Sequence, residues 1–212
     1  MRYINLAGFT SRLIVVESTK ECRPRGRPRK FDAEHGVSVA QHLFHARGYD
    51  AVSIAELTEA LGINPPSFYA AFGSKAGLYD RILDRYAGTS AIPLAELLDP
   101  DRPIAECLAA VLEEAARRYA ADPVAAGCMV IEGARCADRS ARTAARTFLS
   151  AAQATLHRYI EARCPEDADR LTDYMSTVMA GLSATARDGH DLDRLLAAAR
   201  LAGAAIAQTA CA

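Results

Sequence analysis

The stretch SIAELTEALGINPPSFYAAFGSK, residues 53–75, decides the fold of this chain. Ser53 followed by Glu56 is a capping-box pattern, which predicts that a helix begins here. Gly62 predicts where that helix ends, because glycine enters the left-handed conformation of a C-cap without steric cost. Asn64 then predicts the N-cap of a second helix, whose first turn accepts two prolines because it needs no backbone N–H donors. Two short helices joined by a tight glycine turn indicate a helix-turn-helix.

Residues on both sides of this stretch give the same kind of signal. Asp32 predicts the N-cap of a helix that ends at Gly48, and Ser74 predicts the N-cap of a helix that begins at Lys75. The second helix of the central pair spans 65–72. In a helix-turn-helix, that second helix is the one that enters the major groove of DNA.

The rest of the chain predicts helices only. Alanine is abundant and no run of valine or isoleucine alternates at period two, so we predict an all-α fold. The loop over 91–103 contains three prolines and is the predicted boundary between an N-terminal and a C-terminal part. Beyond this loop we expect five helices, at 103–121, 123–137, 140–163, 166–187 and 191–208.

The order of residues between Leu43 and Leu83 carries a family resemblance. The residues that carry it are Leu43-Phe44, Gly48-Tyr49, Ser53-Ile54, Leu61-Gly62-Ile63, Phe68-Tyr69, Phe72 and Ser74-Lys75-x-x-Leu78. As a set they resemble the DNA-binding domain of the TetR (tetracycline-repressor) family. The resemblance covers residues 31–87, and beyond them it rests on length and helical pattern. Gly36 departs from the family, which usually has a large aliphatic residue at this position.

This resemblance implies a three-helix helix-turn-helix domain at 31–88, followed by a C-terminal helical ligand-binding and dimerisation domain at 89–212. In the family the last two long helices form a dimer interface, which implies a homodimer here. The last predicted helix has a face rich in small residues, which lets helices approach closely. That face consists of Leu192, Leu195, Leu196, Ala199, Ala202, Gly203 and Ile206. The pattern fits packing on a second copy and burial within one monomer equally well.

Matching the family motif residue by residue assigns roles in DNA binding. Ser53 and Asn64 would hold phosphates at helix N-termini through their side chains and nearby backbone N–H groups. Tyr69 and Lys75 correspond to the family's usual phosphate contacts. The residues that would face base edges are Pro65, Pro66 and Ser67. Prolines can only pack on thymine methyl groups, so we expect direct base readout to be modest.

Charge is distributed unevenly along the chain, although the net charge is only −1. Residues 1–30 carry 8 Lys/Arg against 2 Asp/Glu, residues 31–88 carry 4 against 7, and residues 89–212 carry 13 against 17. The tract RPRGRPRK at 23–30 is similar to an AT-hook, which binds the minor groove of A·T-rich DNA. The expected contact residues are Arg25, Arg27, Arg29 and Lys30. We predict that residues 1–30 form a disordered extension and that 23–30 is a basic arm that binds DNA beside the second helix. The alternative for 23–30 is a solvated basic tail.

No sequence pattern argues for catalysis, a cofactor or a metal site. The chain has no phosphate loop, dinucleotide fingerprint, nucleophile elbow or HExxH motif. His42 and His45 have no third ligand in register. The six cysteines form no CxxC pair and no signal peptide is present, so we expect reduced thiols in a cytoplasmic protein. Whether Cys128 or Cys136 senses oxidants stays open, and no apolar run is long enough to cross a membrane.

These observations predict a transcriptional repressor that binds a pseudo-palindromic DNA operator as a homodimer and is released by a small apolar effector. We expect a mostly apolar pocket of roughly 300–1,000 Å³ between the helices of residues 103–187. The apolar residues that suggest it are Leu112, Met129, Phe148, Leu156, Met175 and Met179. Two other functions stay open, a DNA-coating protein without operator preference and an α-helical enzyme. The sequence identifies neither the effector, nor the residues that bind it, nor the operator.

Overall fold

The N-terminal helices begin and end at the residues that the sequence predicts. The computed structural model describes residues 31–209. Its first four helices are α1 (Ala33–Arg47), α2 (Ile54–Leu61), α3 (Pro65–Phe72) and α4 (Lys75–Thr89). Each of them begins after a side chain that accepts a hydrogen bond from the first turn of the helix; these caps are Asp32, Ser53, Asn64 and Ser74. Gly62 ends α2 with φ of 63°, in the left-handed region that glycine favours.

Aromatic side chains from α1, α3 and α4 form the core of this N-terminal part. Phe44 stacks on Tyr49 with 5.4 Å between ring centroids, and its edge meets Tyr79 at 5.5 Å. The ring centroids of Phe68 and Phe72 lie 5.3 Å apart, and both rings are buried on the side of α3 that faces this core. These contacts bury large apolar areas, which is the main favourable contribution to folding.

The structure explains why glycine stands at position 36, where the family usually has a large aliphatic residue. It lies within α1 and is buried against the ring of Phe31. A Cβ atom at this position would come within 2.6 Å of a Phe31 ring carbon. The ring of Phe31 therefore occupies the space that a large aliphatic side chain would need, and α1 begins at Ala33 as Asp32 predicts.

The described residues of the C-terminal part, up to 209, contain six further α-helices and one short 3₁₀ helix at Pro165–Asp167. The α-helices are α5 (Leu94–Leu97), α6 (Ile104–Ala120), α7 (Met129–Gly133), α8 (Arg139–Glu161), α9 (Ala168–Arg187) and α10 (Leu192–Thr209). Four of the five helices predicted in this region are confirmed with small changes at their ends. None of the helices within 31–209 is long and apolar enough to cross a membrane.

The predicted helix at 123–137 is wrong over most of its length. Only Met129–Gly133 is helical. The side chain of Asp122 accepts hydrogen bonds from the backbone N–H groups of Val124 and Ala125, which holds the chain in a turn. Gly127 follows with φ of 78°, outside the helical region. Apolar periodicity in this segment therefore reflects burial, since the local backbone signals oppose a continuous helix.

The small-residue face of α10 packs inside the monomer, against α6. Gly203 lies so close to α6 that a Cβ atom there would come within 2.8 Å of the Ala109 Cβ. The buried residues of this face are Leu195, Ala199, Ala202, Gly203 and Ile206. Leu192 is exposed and Leu196 is partly buried. The sequence allows this face either to pack on a second copy or to be buried within one monomer, and in the structure it is buried within the monomer.

Among the cysteines of residues 31–209, one differs from expectation. Cys107, Cys128 and Cys136 are free thiols. Cys164 is disulfide-bonded, so the expectation of reduced thiols is wrong there. Sequence spacing does not reveal such a bond, because it depends on how the fold brings cysteines together.

Candidate nucleic-acid interface and cavities

The outer side of α3 carries most of the side chains predicted to face DNA. Pro65, Pro66, Ser67 and Tyr69 are exposed, and Tyr69 has 49% of its surface accessible. Ala70 is exposed beside them. The structure thus brings the predicted base-facing residues and one predicted phosphate contact together on one short helix with a small outer surface.

The N-terminus of α2 is less available to a phosphate than the sequence suggests. The backbone N–H and the hydroxyl of Ser53 both donate to the carboxylate of Glu56, each at 2.7 Å. These hydrogen bonds and Arg47, whose Nη1 lies 2.7 Å from Glu56 Oε1, lower the pKa of Glu56 to about 2. An ionised carboxylate paired with an arginine therefore occupies this end of α2. Sequence reasoning missed the role of Arg47, because the pair depends on the packing of α1 beside α2.

Asn64 and Lys75 take different positions around α3. Asn64 Oδ1 accepts from the backbone N–H of Ser67 at 2.9 Å, so its amide N–H groups remain to donate outward. The Nζ atom of Lys75 lies over the Tyr49 ring, 4.1 Å from its centroid. Burial lowers the pKa of Lys75, with the carboxylate of Asp50 acting in the opposite direction. A phosphate contact by Lys75 requires its side chain to leave this ring.

Two other predictions concern the basic tract and the two histidines of α1. The predicted minor-groove residues Arg25, Arg27, Arg29 and Lys30 lie outside the described residues. His42 and His45 belong to separate pairs: His42 Nδ1 lies 3.6 Å from an Asp122 carboxylate oxygen, and His45 Nε2 lies 3.0 Å from the Gly127 carbonyl oxygen. Within 31–209 no group of three or more His, Cys, Asp or Glu side chains could hold a metal ion.

Two adjoining cavities lie among the C-terminal helices, and the end of α4 also lines the smaller one. The larger cavity has a volume of about 410 Å³ and the smaller cavity about 310 Å³. Both values fall within the predicted size of a small-molecule site, but residues before 103 line the cavities too, among them Tyr86 and Leu94. The residues that line both cavities are Leu94, Ile131, Leu149, Ala152 and Met179. Ile131 belongs to α7 and Leu94 to α5, the two shortest α-helices described.

Half of the predicted lining residues are in place. Phe148, Leu156 and Met179 line one or both cavities. The others, Leu112, Met129 and Met175, are buried in the core elsewhere. The sequence shows that all six are apolar, but it cannot separate a residue that faces a cavity from one that fills the core.

Three polar side chains meet at one wall of the smaller cavity. The hydroxyl of Tyr86 donates to Cys128 Sγ at 3.7 Å, and Tyr119 also lines this wall. Burial raises the pKa values of both tyrosines, so both keep their hydroxyl protons. Tyr86 belongs to α4, which directly follows the helix-turn-helix. The sequence does not reveal that Tyr86 reaches a cavity.

The segments directly before and after α7 are both hydrogen-bonded to the N-terminal part. Before α7, the carbonyl of Gly127 accepts from His45 at the end of α1. After α7, the backbone N–H of Ala137 donates to Asp50 Oδ2 at 2.7 Å. Arg187 of α9 also donates to the His45 carbonyl at 3.0 Å. The position of α7 is therefore tied to α1 and to the turn that leads to α2.

These features define the class of the protein, a helix-turn-helix regulator whose DNA-binding helices are followed by helices that enclose cavities. A family model described as "Bacterial regulatory proteins, tetR family" matches residues 37–82. The HTH-type transcriptional repressor BdcR of Escherichia coli (strain K12) is 56% identical over 187 residues, which are 88% of this chain and 95% of that protein. The chain belongs to the TetR family of bacterial regulatory proteins.

Other relatives support the same assignment. The HTH-type transcriptional repressor ComR of Escherichia coli (strain K12) is 29% identical over 185 residues, covering 82% of this chain and 88% of that protein. A solved structure of a cysteine mutant of the TetR family transcriptional regulator CifR, complexed with 26bp double-strand operator DNA, is 34% identical. It covers 84% of this chain and 99% of that chain, with a TM-score of 0.72. The family and these relatives are transcriptional regulators and not enzymes.

Proposed function

We propose that the protein is a transcriptional repressor that binds a double-stranded DNA operator as a homodimer and leaves it when a small molecule fills the cavities. The observation that carries the proposal is α3, which turns exposed small residues outward from a helix-turn-helix. The names of BdcR and ComR as repressors, and the operator DNA bound to CifR, support it. In this proposal residues 31–88 bind DNA and residues 89–212 regulate and dimerise. The protein acts in the bacterial cytoplasm, where chromosomal DNA lies.

The reading surface of α3 accounts for a limited part of operator choice. Ser67 can donate or accept a hydrogen bond at a base edge, while Pro65 and Pro66 can only pack on thymine methyl groups. Asn64 and Tyr69 would hold phosphates on either side of the groove. The rest of the preference comes from DNA shape, read in the minor groove by the basic tract at 23–30.

Electrostatic attraction to DNA depends on the same basic tract. Residues 31–88 carry 4 Lys/Arg against 7 Asp/Glu. Two of those four cations are already engaged, Arg47 by Glu56 and Arg81 by Glu34, whose nearest nitrogen and oxygen atoms lie 2.7 and 2.6 Å apart. Arg25, Arg27, Arg29 and Lys30 therefore supply most of the long-range attraction in this proposal.

The dimer forms through the outward faces of α9 and α10, because the inward face of α10 is occupied by α6. Tyr174 on α9 and Leu201 on α10 are large apolar side chains that remain exposed, Leu201 with 75% of its surface accessible. Ala197 and Ala204 lie one turn before and after Leu201 and are exposed too. A self-complementary face of this kind suits a twofold interface.

A competition experiment tests the function. A labelled duplex from the region upstream of the protein's own gene is titrated with the protein, and the complex is challenged with unlabelled operator or random duplex. We expect random DNA to compete at least about a thousandfold less well than the operator. Equal competition by both duplexes would support the DNA-coating alternative.

Light scattering, combined with operator titration, tests the dimer. Leu201→Asp places a charge in the proposed interface, so light scattering should show a monomer and operator affinity should fall. Val124→Asp is the matched control, because Val124 is an exposed apolar residue outside α9 and α10. A dimeric Leu201→Asp variant with full operator affinity would rule out this face.

Effector release follows from the position of α7 between the cavities and the N-terminal part. A ligand that displaces Ile131 shifts α7 and strains its hydrogen bonds to His45 and Asp50. By thermodynamic linkage, the ligand lowers operator affinity only as far as it prefers the displaced state. A coupling free energy of about 1–3 kcal/mol corresponds to roughly 5–150-fold release.

A further inference from the structure

We infer that the effector is an amphipathic anion, an apolar chain ending in a carboxylate that Arg135 and Arg146 bind at the edge of the larger cavity. The inference rests on the proposed function and names the chemical class of its ligand. The charge of residues 89–212 as a whole, 13 Lys/Arg against 17 Asp/Glu, would favour the opposite class. The lining of the larger cavity reverses that balance.

Two charged side chains line the larger cavity, and both are arginines. Arg135 extends from the segment after α7 and Arg146 from α8, and the lining contains no carboxylate. The rest of the lining is mostly apolar and includes Leu94, Leu149, Leu156 and Met179, with Gln153, Ser176 and Thr177 as its uncharged polar members. A guest with a hydrocarbon chain and one negative end matches both parts of this lining, since arginine binds carboxylates through two parallel hydrogen bonds.

The local hydrogen bonds leave both guanidinium groups available. Arg146 Nε donates to the carbonyl of Ala134 at 3.1 Å, which fixes the guanidinium beside the end of α7 and leaves its terminal nitrogens to donate. Glu132 lies three residues before Arg135, a spacing that allows a helical ion pair. Its carboxylate lies 3.7 Å from Arg187 instead. Neither Arg135 nor Arg146 forms an ion pair with another residue in 31–209.

The position of this arginine pair links the ligand to release. Arg135 follows α7 closely, and Arg146 is hydrogen-bonded to Ala134, the residue directly after α7. A carboxylate that draws the two guanidinium groups together pulls on the end of α7 while its chain presses on Ile131 inside the cavities. The competing explanation is that the arginine stems only cover apolar surface and keep their charges in water.

The test compares three probes of equal chain length, octanoate, octanol and octylamine, by titration calorimetry on the full-length protein. We expect octanoate to bind most tightly, octanol more weakly and octylamine least. Arg135→Gln and Arg146→Gln should each lower octanoate affinity about tenfold while leaving octanol binding unchanged, because a hydrogen bond to a charged group is lost. Arg139→Gln is the matched control, because Arg139 is an exposed arginine of α8 outside the cavity lining.

Several outcomes overturn the inference. These are octanoate binding no tighter than octanol, no octanoate binding at millimolar concentration, and equal losses in the Arg139→Gln control. Retained octanol binding shows that a variant is folded with its cavity intact. If Arg146→Gln unfolds, Arg146→Lys replaces it; that variant keeps the charge, loses the Ala134 contact and should keep part of the preference for octanoate.

Operator binding measured in parallel separates this inference from the proposed function. Octanoate that binds through both arginines but leaves operator affinity unchanged keeps the ligand class and removes the proposed release step. Release by octanol with no preference for octanoate keeps the repressor and overturns the ligand class.

Discussion

Each of the four N-terminal helices begins at a side chain that caps it, whereas four of the six that follow have no side-chain cap. In the C-terminal part, Asp138 caps α8, and Asp191 accepts from the backbone N–H of Arg194 in α10. The N-terminal helices are thus fixed in place by signals within their own sequence. The C-terminal helices are positioned mainly by packing against each other, which leaves room for cavities.

Helix α7 shows the consequence of this difference most clearly. It has five residues and no side-chain cap, too few residues for a helix that is stable by itself in water. Its position depends on the packing of α8 and on the hydrogen bonds to His45 and Asp50. The position of α7 is therefore set by its neighbours and not by signals within its own sequence.

The largest expected effect on the comparison between the N-terminal and C-terminal helices comes from removing a side chain of the N-terminal core. Phe68→Ala should lower the free energy of unfolding by about 3–5 kcal/mol, because Phe68 is fully buried and its removal leaves a cavity. Tyr69→Ala, at the exposed neighbouring position, should change it by less than about 0.5 kcal/mol. Urea unfolding followed by circular dichroism measures both. Equal losses would mean that α3 is not attached through its inner face.

Removing a cap tests the local signals themselves. Asp32→Ala should cost about 1 kcal/mol of unfolding free energy, because the Asp32 carboxylate accepts from the N–H groups of Glu34 and His35. Asp84→Ala is the control, since Asp84 is exposed within α4 and caps no helix. The same unfolding assay applies. If both variants lose the same amount, the caps do not distinguish the two parts of the molecule.

The link between the two parts is tested at Asp50. Asp50→Ala removes the acceptor for the Ala137 N–H group and should change the effector-induced loss of operator affinity by about 0.5–2 kcal/mol. Asp50→Asn keeps an acceptor oxygen and should retain most of the coupling. The measurement is operator affinity with and without a bound probe. Full coupling in Asp50→Ala would show that α7 acts on the N-terminal helices by another route.

The smallest expected effect is a pH dependence of stability at His45, whose hydrogen bond to the Gly127 carbonyl is the second contact between the two parts. Burial holds the pKa of His45 below its usual 6.5, with Arg187 and His42 acting in the same direction and the Gly127 carbonyl and Asp122 opposing them. The His45 imidazole therefore binds a proton more readily in the unfolded chain than in the folded protein. The contribution to stability is full above about pH 6.5 and is lost as the pH falls below that value.

The variant His45→Gln isolates this effect. Glutamine keeps a donor for the Gly127 carbonyl and does not titrate, so the unfolding free energy should depend less on pH between about pH 7 and pH 5 than it does in the wild type. His35→Gln, at an exposed histidine of α1, should leave the wild-type slope in place. An unchanged slope in His45→Gln would show that His45 takes up its proton without cost.

The same difference decides how much of the structure could be predicted. Caps and glycine stops act on neighbouring residues, so Ser53, Gly62 and Asn64 predict the helix-turn-helix almost to the residue. The limits of α7 and the partner of the α10 small-residue face depend on contacts between distant segments. Arg135 and Arg146 gave no signal, because two arginines eleven positions apart become a pair only once α7 and α8 are packed.

The orientation of α3 also bears on how such a protein can change its target. Phe68 and Phe72 attach the helix to the core, while Ser67, Tyr69 and Ala70 face solvent and contribute little to stability. Structural constraint and reading surface thus fall on different residues of the same eight-residue helix. Mutations on the outer face can accumulate without unfolding the protein, so a duplicated gene could acquire a new binding site in the genome while keeping its regulatory helices unchanged.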